Sequence, residues 1–208
     1  MPLKALILDL DNTIYPVSAV ADDMFHTLYD MIFSSGEFEG NKGEVLDAIT
    51  RRPFVVVARE FSFSKDLTEQ GIQHLQALTY DKPIDPFPDY AIVRDLPYTK
   101  FLVTTGFSGL QRNKIDCLGI THDFEEIFII DPTQTNQIKK DIFELILTKY
   151  NYTTDDVVVI GDDLNSEIKA AKDLGIKSIV YDFANAYPST AEMIAIRNYR
   201  ELPALVMI

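Results

Sequence analysis

Short apolar runs punctuate the chain without alternating: Leu3 to Leu10, Phe101 to Thr104, Val157 to Ile160 and Ser178 to Tyr181, with Ile127 to Ile130 as a fifth. Strands that are apolar on both faces suit a parallel sheet covered on both sides. Between the runs lie segments of helical spacing. One carries Ile138, Ile142, Leu145 and Ile146 and stops at the turn-like Asn151-Tyr152-Thr153-Thr154. Another carries Ile168, Ala170, Ala171 and Leu174, with Gly175 where a helix C-terminal cap is expected. Alternation of strand and helix predicts an α/β fold, a doubly wound parallel sheet whose ligands sit outside the carboxyl ends of its strands.

The interval after the first strand has a different rhythm. Met24, Phe25, Leu28, Tyr29, Ile32 and Phe33 form one amphipathic stripe, and Val45, Leu46 and Ile49 form a second. Three prolines between Pro83 and Pro88 then stop any helix and return the chain to the sheet. These features predict a helical insertion over residues 15–85, with residues 1–14 and 86–208 forming the α/β core. Pro53-Phe54-Val55-Val56-Val57-Ala58 fits either a strand or a buried helix. In the tail, a last strand near Met193 to Ile196 and a short helix near Leu202 are expected.

Composition narrows the partners. With 208 residues, 47% apolar and 25% charged, the chain is long enough for one well-buried core. Nineteen basic against thirty-two acidic residues give a net charge of -13, a field that repels nucleic acid polymers and anionic membrane surfaces. A small phosphorylated ligand stays compatible with that charge, because a few local cations and a bound metal can reverse the potential inside one pocket. No apolar stretch approaches the ~20 residues of a membrane-spanning helix. The opening Met1-Pro2-Leu3-Lys4 leads into a strand-like run instead of a signal peptide, and Cys117 has no second cysteine to pair with. Cytoplasm is the expected compartment, and Cys117 is expected to be a buried core thiol.

Four places carry candidate chemistry. Asp9-Leu10-Asp11-Asn12-Thr13 brings two carboxylates out where the first strand ceases to be buried, and a turn there would separate their roles. Thr104-Thr105-Gly106 offers a hydroxyl and backbone amides, groups suited to phosphate oxygens, at a second strand end. Lys139-Lys140 stands at the start of a helix, where a cation opposes the helix dipole and a counter-anion is worth seeking. Gly161-Asp162-Asp163, with Glu167 on the following helix, collects hard oxygen donors that suit Mg²⁺ and equally suit an N-cap.

The order Asp-x-Asp-x-Thr, Thr, Lys, Gly-Asp-Asp resembles the haloacid dehalogenase (HAD) superfamily, whose doubly wound core gathers these motifs at the carboxyl ends of its strands. The resemblance implies a Mg²⁺-dependent phosphatase, with Asp9 as nucleophile and Asp11 as general acid and base. It further implies a phosphate-binding Thr104, backed by Thr105 and Gly106, and a charge-neutralising Lys139, with Lys140 one residue away as the alternative. Metal ligands would be Asp9, Asp162 and the backbone carbonyl of Asp11, and the role usually held by an aspartate five residues after Asp162 would fall to Glu167 or Asp163. A carboxylate at Asp11 argues against the dehalogenase branch, and Thr13 leans away from phosphoglucomutase-like relatives. Phosphotransfer and a non-catalytic Mg²⁺-binding module are the competing readings. The insertion would be the family's cap, with His26, Arg51, Arg52, Arg59 and Lys65 as candidate substrate contacts. The expected partner is a small phosphorylated metabolite, a sugar phosphate or a nucleotide. The nucleotide option comes from Asp9 to Pro16, which is similar to the opening of pyrimidine 5'-nucleotidase-like members.

Overall fold

The computed structural model describes residues 3–187 and 193–206. Its centre is a parallel sheet of β1 (Ala5–Leu8), β2 (Thr99–Thr105), β3 (Glu126–Ile130), β4 (Val157–Gly161), β5 (Lys177–Tyr181) and β6 (Ile194–Ile196), in the order β3-β2-β1-β4-β5-β6. All five strands expected from the apolar runs are present, and the expected tail strand is β6. The first run is shorter as a strand than as an apolar stretch, because the chain turns away after Leu8.

Alternation within β1 explains the two layers. Leu6 and Leu8 join one apolar cluster, and Ala5 and Ile7 join another on the opposite face. The second face is covered by α7 (Lys139–Lys149) through Ile142, Phe143 and Ile146, and by α8 (Glu167–Leu174) through Ala170 and Ala171. Gly175 ends α8 at φ 72°, in the left-handed region where glycine lacks the Cβ penalty. The first face is covered by α5 (Tyr90–Asp95), α6 (Ser108–Leu118) and the tail helix α9 (Pro203–Val206).

Between β1 and β2 lie α1 (Ala21–Ser35), α2 (Lys42–Arg51), α3 (Phe54–Glu60) and α4 (Lys65–Ala77). Asn41 caps α2 reciprocally with Glu44, and Ser64 caps α4 by accepting from the Leu67 amide at 3.1 Å. The ambiguous Val55-Val56-Val57 stretch is helix α3. Its buried residues Phe54, Val57 and Ala58, with Phe61 just past its end, fall at the i, i+3, i+4, i+7 spacing of one helical face, and Pro53 stands immediately before it. Phe54 lies against Gly71 of α4, where an added Cβ would come within 2.2 Å of the ring. Burying such a ring contributes roughly 1.5–3 kcal/mol.

The apolar cluster of the first sheet face continues without a break into α1, α2 and α4, through Leu28, Ile32, Val45 and Leu75. The inserted helices therefore share their core with the sheet. Cys117, on α6, is half-buried against the cluster instead of fully buried in it, and its Sγ donates to the Tyr80 carbonyl at 3.3 Å. No helix among the described residues is long and apolar enough to cross a membrane.

Candidate active site

The strand order reverses at β1, which pairs with β2 on one side and β4 on the other. That reversal opens a crevice beyond the carboxyl ends of these strands. Asp9, directly after β1, donates its backbone N–H to the Ile160 carbonyl of β4 at 3.0 Å, which places it beside Gly161-Asp162. Thr104 and Thr105 end β2 on the other flank. A cavity of about 790 Å³ occupies this crevice, lined among others by Asp9, Asp11, Thr104, Lys139 and Asp162. Its size is in the range that holds a small metabolite.

Lys139 is the lysine that enters. Its Nζ donates to Asp9 Oδ1 at 2.6 Å and to Glu167 Oε2 at 2.7 Å, so the counter-anion expected for a lysine opening a helix is a pair of carboxylates. Lys139 lies on the buried stripe of α7 with Ile142, Phe143 and Ile146, whereas Lys140 is turned about 100° around the axis and lines only the cavity wall. Glu167 is buried and also accepts from the Asp163 amide at 2.7 Å. It approaches Gly161 so closely that an added Cβ would lie 2.2 Å from its Oε1. Asp163 instead accepts from the Asn165 amide at 2.8 Å and stiffens its own turn.

Asp9, Asp162 and Glu167 each bring a carboxylate oxygen within 4.8 Å of the others. Burial pushes Asp9 up to about 7, with Lys139 opposing the rise and Glu167 adding to it. Burial, with Glu167 and Asp9 close by, pushes Asp162 up to about 9. Three carboxyl groups lie around one lysine, and the raised Asp9 and Asp162 reflect the cost of ionising all three there without a further cation. Hard oxygen donors that need added positive charge to ionise fit a divalent cation of the Mg²⁺ type.

A model of the haloacid dehalogenase-like hydrolase family matches residues 3–175. The chain belongs to that family. Glyceraldehyde 3-phosphate phosphatase of Methanopyrus kandleri is 23% identical over 203 residues, covering 85% of this chain and 83% of the relative. Ribulose-1,5-bisphosphate 5-phosphatase of Halopiger xanaduensis is 20% identical over 205 residues, covering 86% of this chain and 84% of its own. The magnesium-bound HAD-hydrolase YfnB of Bacillus subtilis superposes with a TM-score of 0.65 at 18% identity, covering 100% of both chains. This HAD protein is an enzyme of the phosphatase type.

Asp11 lines the same cavity but keeps different company from Asp9, so the turn after β1 does separate the two carboxylates. Asn12 makes the turn at φ 57°, accepting from the Val17 amide at 3.2 Å and donating from Nδ2 to the Thr50 carbonyl at 3.1 Å. Asp11 accepts from Tyr15 Oη at 2.5 Å, Gln111 Nε2 at 2.9 Å and Lys114 Nζ at 2.9 Å. Burial alone would raise this carboxyl, but the Lys114 ammonium and the Tyr15 and Gln111 donors outweigh it and hold Asp11 below the usual carboxylate range. Gln111 Nε2 also donates to Thr104 Oγ1 at 2.7 Å, which leaves the threonine's own hydrogen free to face a ligand oxygen. The Gly106 amide is taken, since it donates to the Ile130 carbonyl at 3.0 Å, so of the backbone amides expected to be free there, this one is not.

Tyr15, Gln111 and Lys114 were not among the residues expected from sequence. The available signal was a pair of polar residues three apart on α6, both buried in a helix whose apolar stripe includes Leu110, Ile115 and Leu118. Of the basic residues expected on the insertion, Arg51, Arg52 and Arg59 line the cavity. His26 and Lys65 do not. His26 sits exposed against the Asp23 carbonyl at 3.0 Å, and Lys65 faces solvent beside Glu69.

The Lys114 side chain is 5% exposed and that of Asp11 26%, so removing the cation leaves a poorly solvated carboxylate. Lys114→Met is expected to lower unfolding free energy by about 1–3 kcal/mol, less than a fully buried pair would cost. Urea titration of the two proteins measures the difference. An unchanged midpoint would show that the pair contributes nothing net.

Proposed function

We propose that this phosphatase hydrolyses phosphomonoesters through an aspartyl phosphate on Asp9, with Asp11 moving the protons. The observation that carries the reading is the division of partners between two carboxylates in one cavity. Asp9 belongs to the Lys139–Glu167–Asp162 cluster, and Asp11 belongs to a separate cradle of Tyr15, Gln111 and Lys114.

Asp9, Asp162 and the Asp11 carbonyl would hold Mg²⁺, with Glu167 fixing Lys139 and the Asp163 turn beside them. Bound magnesium supplies the positive charge that lets an anionic carboxylate approach an anionic phosphate. An Asp9 oxygen attacks phosphorus, the bond to the leaving oxygen breaks, and Asp11 gives that oxygen a proton. Asp11 then takes a proton from water as the water oxygen attacks phosphorus, releasing inorganic phosphate and restoring the Asp9 carboxylate. In the ligand-free arrangement Lys114 keeps Asp11 ionised, the form required for this second half. An anionic phosphate arriving beside Asp11 raises its affinity for the proton that the first half needs. Thr104 and Lys139 donate to the transferring group.

The substrate is a small phosphorylated metabolite. The two curated relatives are named for phosphorylated sugars, which supports a sugar phosphate ahead of a nucleotide, the latter resting on residues 9–16 alone. A cytoplasmic setting goes with such a substrate. Release of phosphate from p-nitrophenyl phosphate with and without Mg²⁺ tests the activity. No Mg²⁺-dependent release from it or from a broad panel of phosphomonoesters would remove the reading.

The separate cradles also predict separate consequences. Asp11→Asn is expected to slow turnover by roughly 10²–10⁴-fold while Mg²⁺ affinity, followed by calorimetry, stays within about threefold. Asp162→Asn removes a charged ligand and is expected to weaken Mg²⁺ by about tenfold or more. Equal loss of Mg²⁺ affinity in both variants would contradict the division.

A further inference from the structure

Residues 15–85 contain twelve carboxylates and six lysines or arginines, an acidic segment in an acidic protein. Every charged residue that this segment contributes to the cavity is nevertheless an arginine: Arg51, Arg52 and Arg59. The same cavity is lined by the cluster of Asp9, Asp162 and Glu167. A net charge of -13 opposes the approach of any anion, so three arginines among the residues lining one cavity mark the place where negative charge is accepted.

The arginines are also held in place relative to the reacting end. Asn12, next to Asp11, donates from Nδ2 to the carbonyl of Thr50, the residue immediately before Arg51. Arg51 ends α2, Pro53 stands before α3, and Arg59 lies near the end of α3. The guanidinium of Arg51 is kept above its ordinary range mainly by Asp47, and Asp162 contributes as well. Their present partners are easily exchanged. Arg51 pairs with Asp47 at 3.0 Å on the exposed surface of α2, and Arg52 pairs with Glu60 where both are partly exposed. Arg59 has no carboxylate partner among the described residues.

We propose that Arg51, Arg52 and Arg59 form a subsite for a second anionic group on the substrate, a carboxylate or phosphate at the far end from the phosphate that is cleaved. The inference rests on the proposed reaction at Asp9 and adds the substrate class to it. A planar guanidinium binds either group through two parallel N–H donors, and the residues around Asp9 orient the scissile phosphate. Substrates with one anionic end fill half of such a site.

Two matched pairs test this: 3-phosphoglycerate against glycerol 3-phosphate for the carboxylate, and fructose 1,6-bisphosphate against fructose 6-phosphate for the phosphate. The enzyme is expected to prefer the doubly anionic member of at least one pair by about 10–100-fold in kcat/KM. In Arg51→Gln and Arg59→Gln, both at exposed positions, that ratio is expected to fall to about threefold or less. Parallel calorimetry on Asp9→Asn reads the same preference as a ratio of Kd values. If phosphate is never released but the Kd preference is present and depends on the arginines, the phosphatase reading fails and the subsite stands. No preference in either pair overturns the subsite, and so does a preference that survives both arginine substitutions.

Discussion

Replacing Asp9 by asparagine is expected to cut Mg²⁺-dependent phosphate release by roughly 10⁴-fold or more, because an amide oxygen is a far weaker nucleophile than a carboxylate. The change is isosteric, so the turn after β1 keeps its volume. Lys139 keeps Glu167 at 2.7 Å as a partner. Loss of activity should therefore come with retained folding. Circular dichroism and thermal unfolding check the second point, and single-turnover release from p-nitrophenyl phosphate checks the first. Activity within about tenfold of the parent would mean that Asp9 does not attack the phosphoryl group, and that a water molecule is the direct nucleophile. A wild-type protein without turnover would point to the non-catalytic reading, and transfer to an added alcohol in preference to water would point to a phosphotransferase.

Much of this architecture was legible in the sequence, for a physical reason. β1 and β4 are buried on both faces, so Leu6 to Leu8 and Val157 to Ile160 read as unbroken apolar runs that end where polar residues begin. Asp9 and Asp162 at those ends, and Thr104 at the end of β2, reach the crevice. Strand ends and candidate chemistry were therefore found together. The helix α3 was not resolved, since Val55-Val56-Val57 has strand-like composition and only the burial of Phe54, Val57, Ala58 and Phe61 reveals its period. The choice between Lys139 and Lys140 was open in principle to helical phase. Lys139 shares the stripe of Ile142, Phe143 and Ile146, and Lys140 does not. The cradle of Asp11 was not legible in the same way. Gln111 and Lys114 lie about a hundred residues from it along the chain, and only the docking of α6 on the sheet brings them together. Asp9 and Asp11 are two residues apart and chemically identical in the sequence. Their different partners come from tertiary structure.

Lys139→Met carries the largest expected effect on stability, and it also probes the cation site. The Lys139 side chain is 6% exposed and is the ammonium shared by Asp9 and Glu167, whose side chains are 9% and 2% exposed. Methionine fills the space but leaves two buried carboxylates, with Asp162 nearby, and no countercharge. Breaking a buried pair from one side costs about 3–5 kcal/mol, against a total stability of about 5–15 kcal/mol for a typical domain. The denaturant midpoint without divalent ions should fall accordingly, and turnover should fall with it because the transferring phosphoryl group loses a donor. A ligand that binds only the folded state stabilises by mass action. Mg²⁺ should therefore raise the midpoint of Lys139→Met more than that of the parent, whose cluster is already partly neutralised. If Mg²⁺ shifts neither midpoint, the Asp9–Asp162–Glu167 cluster is not a cation site. If the variant is as stable as the parent without Mg²⁺, the carboxylates accommodate the loss by taking up protons, and Lys139 serves the reaction and not the fold.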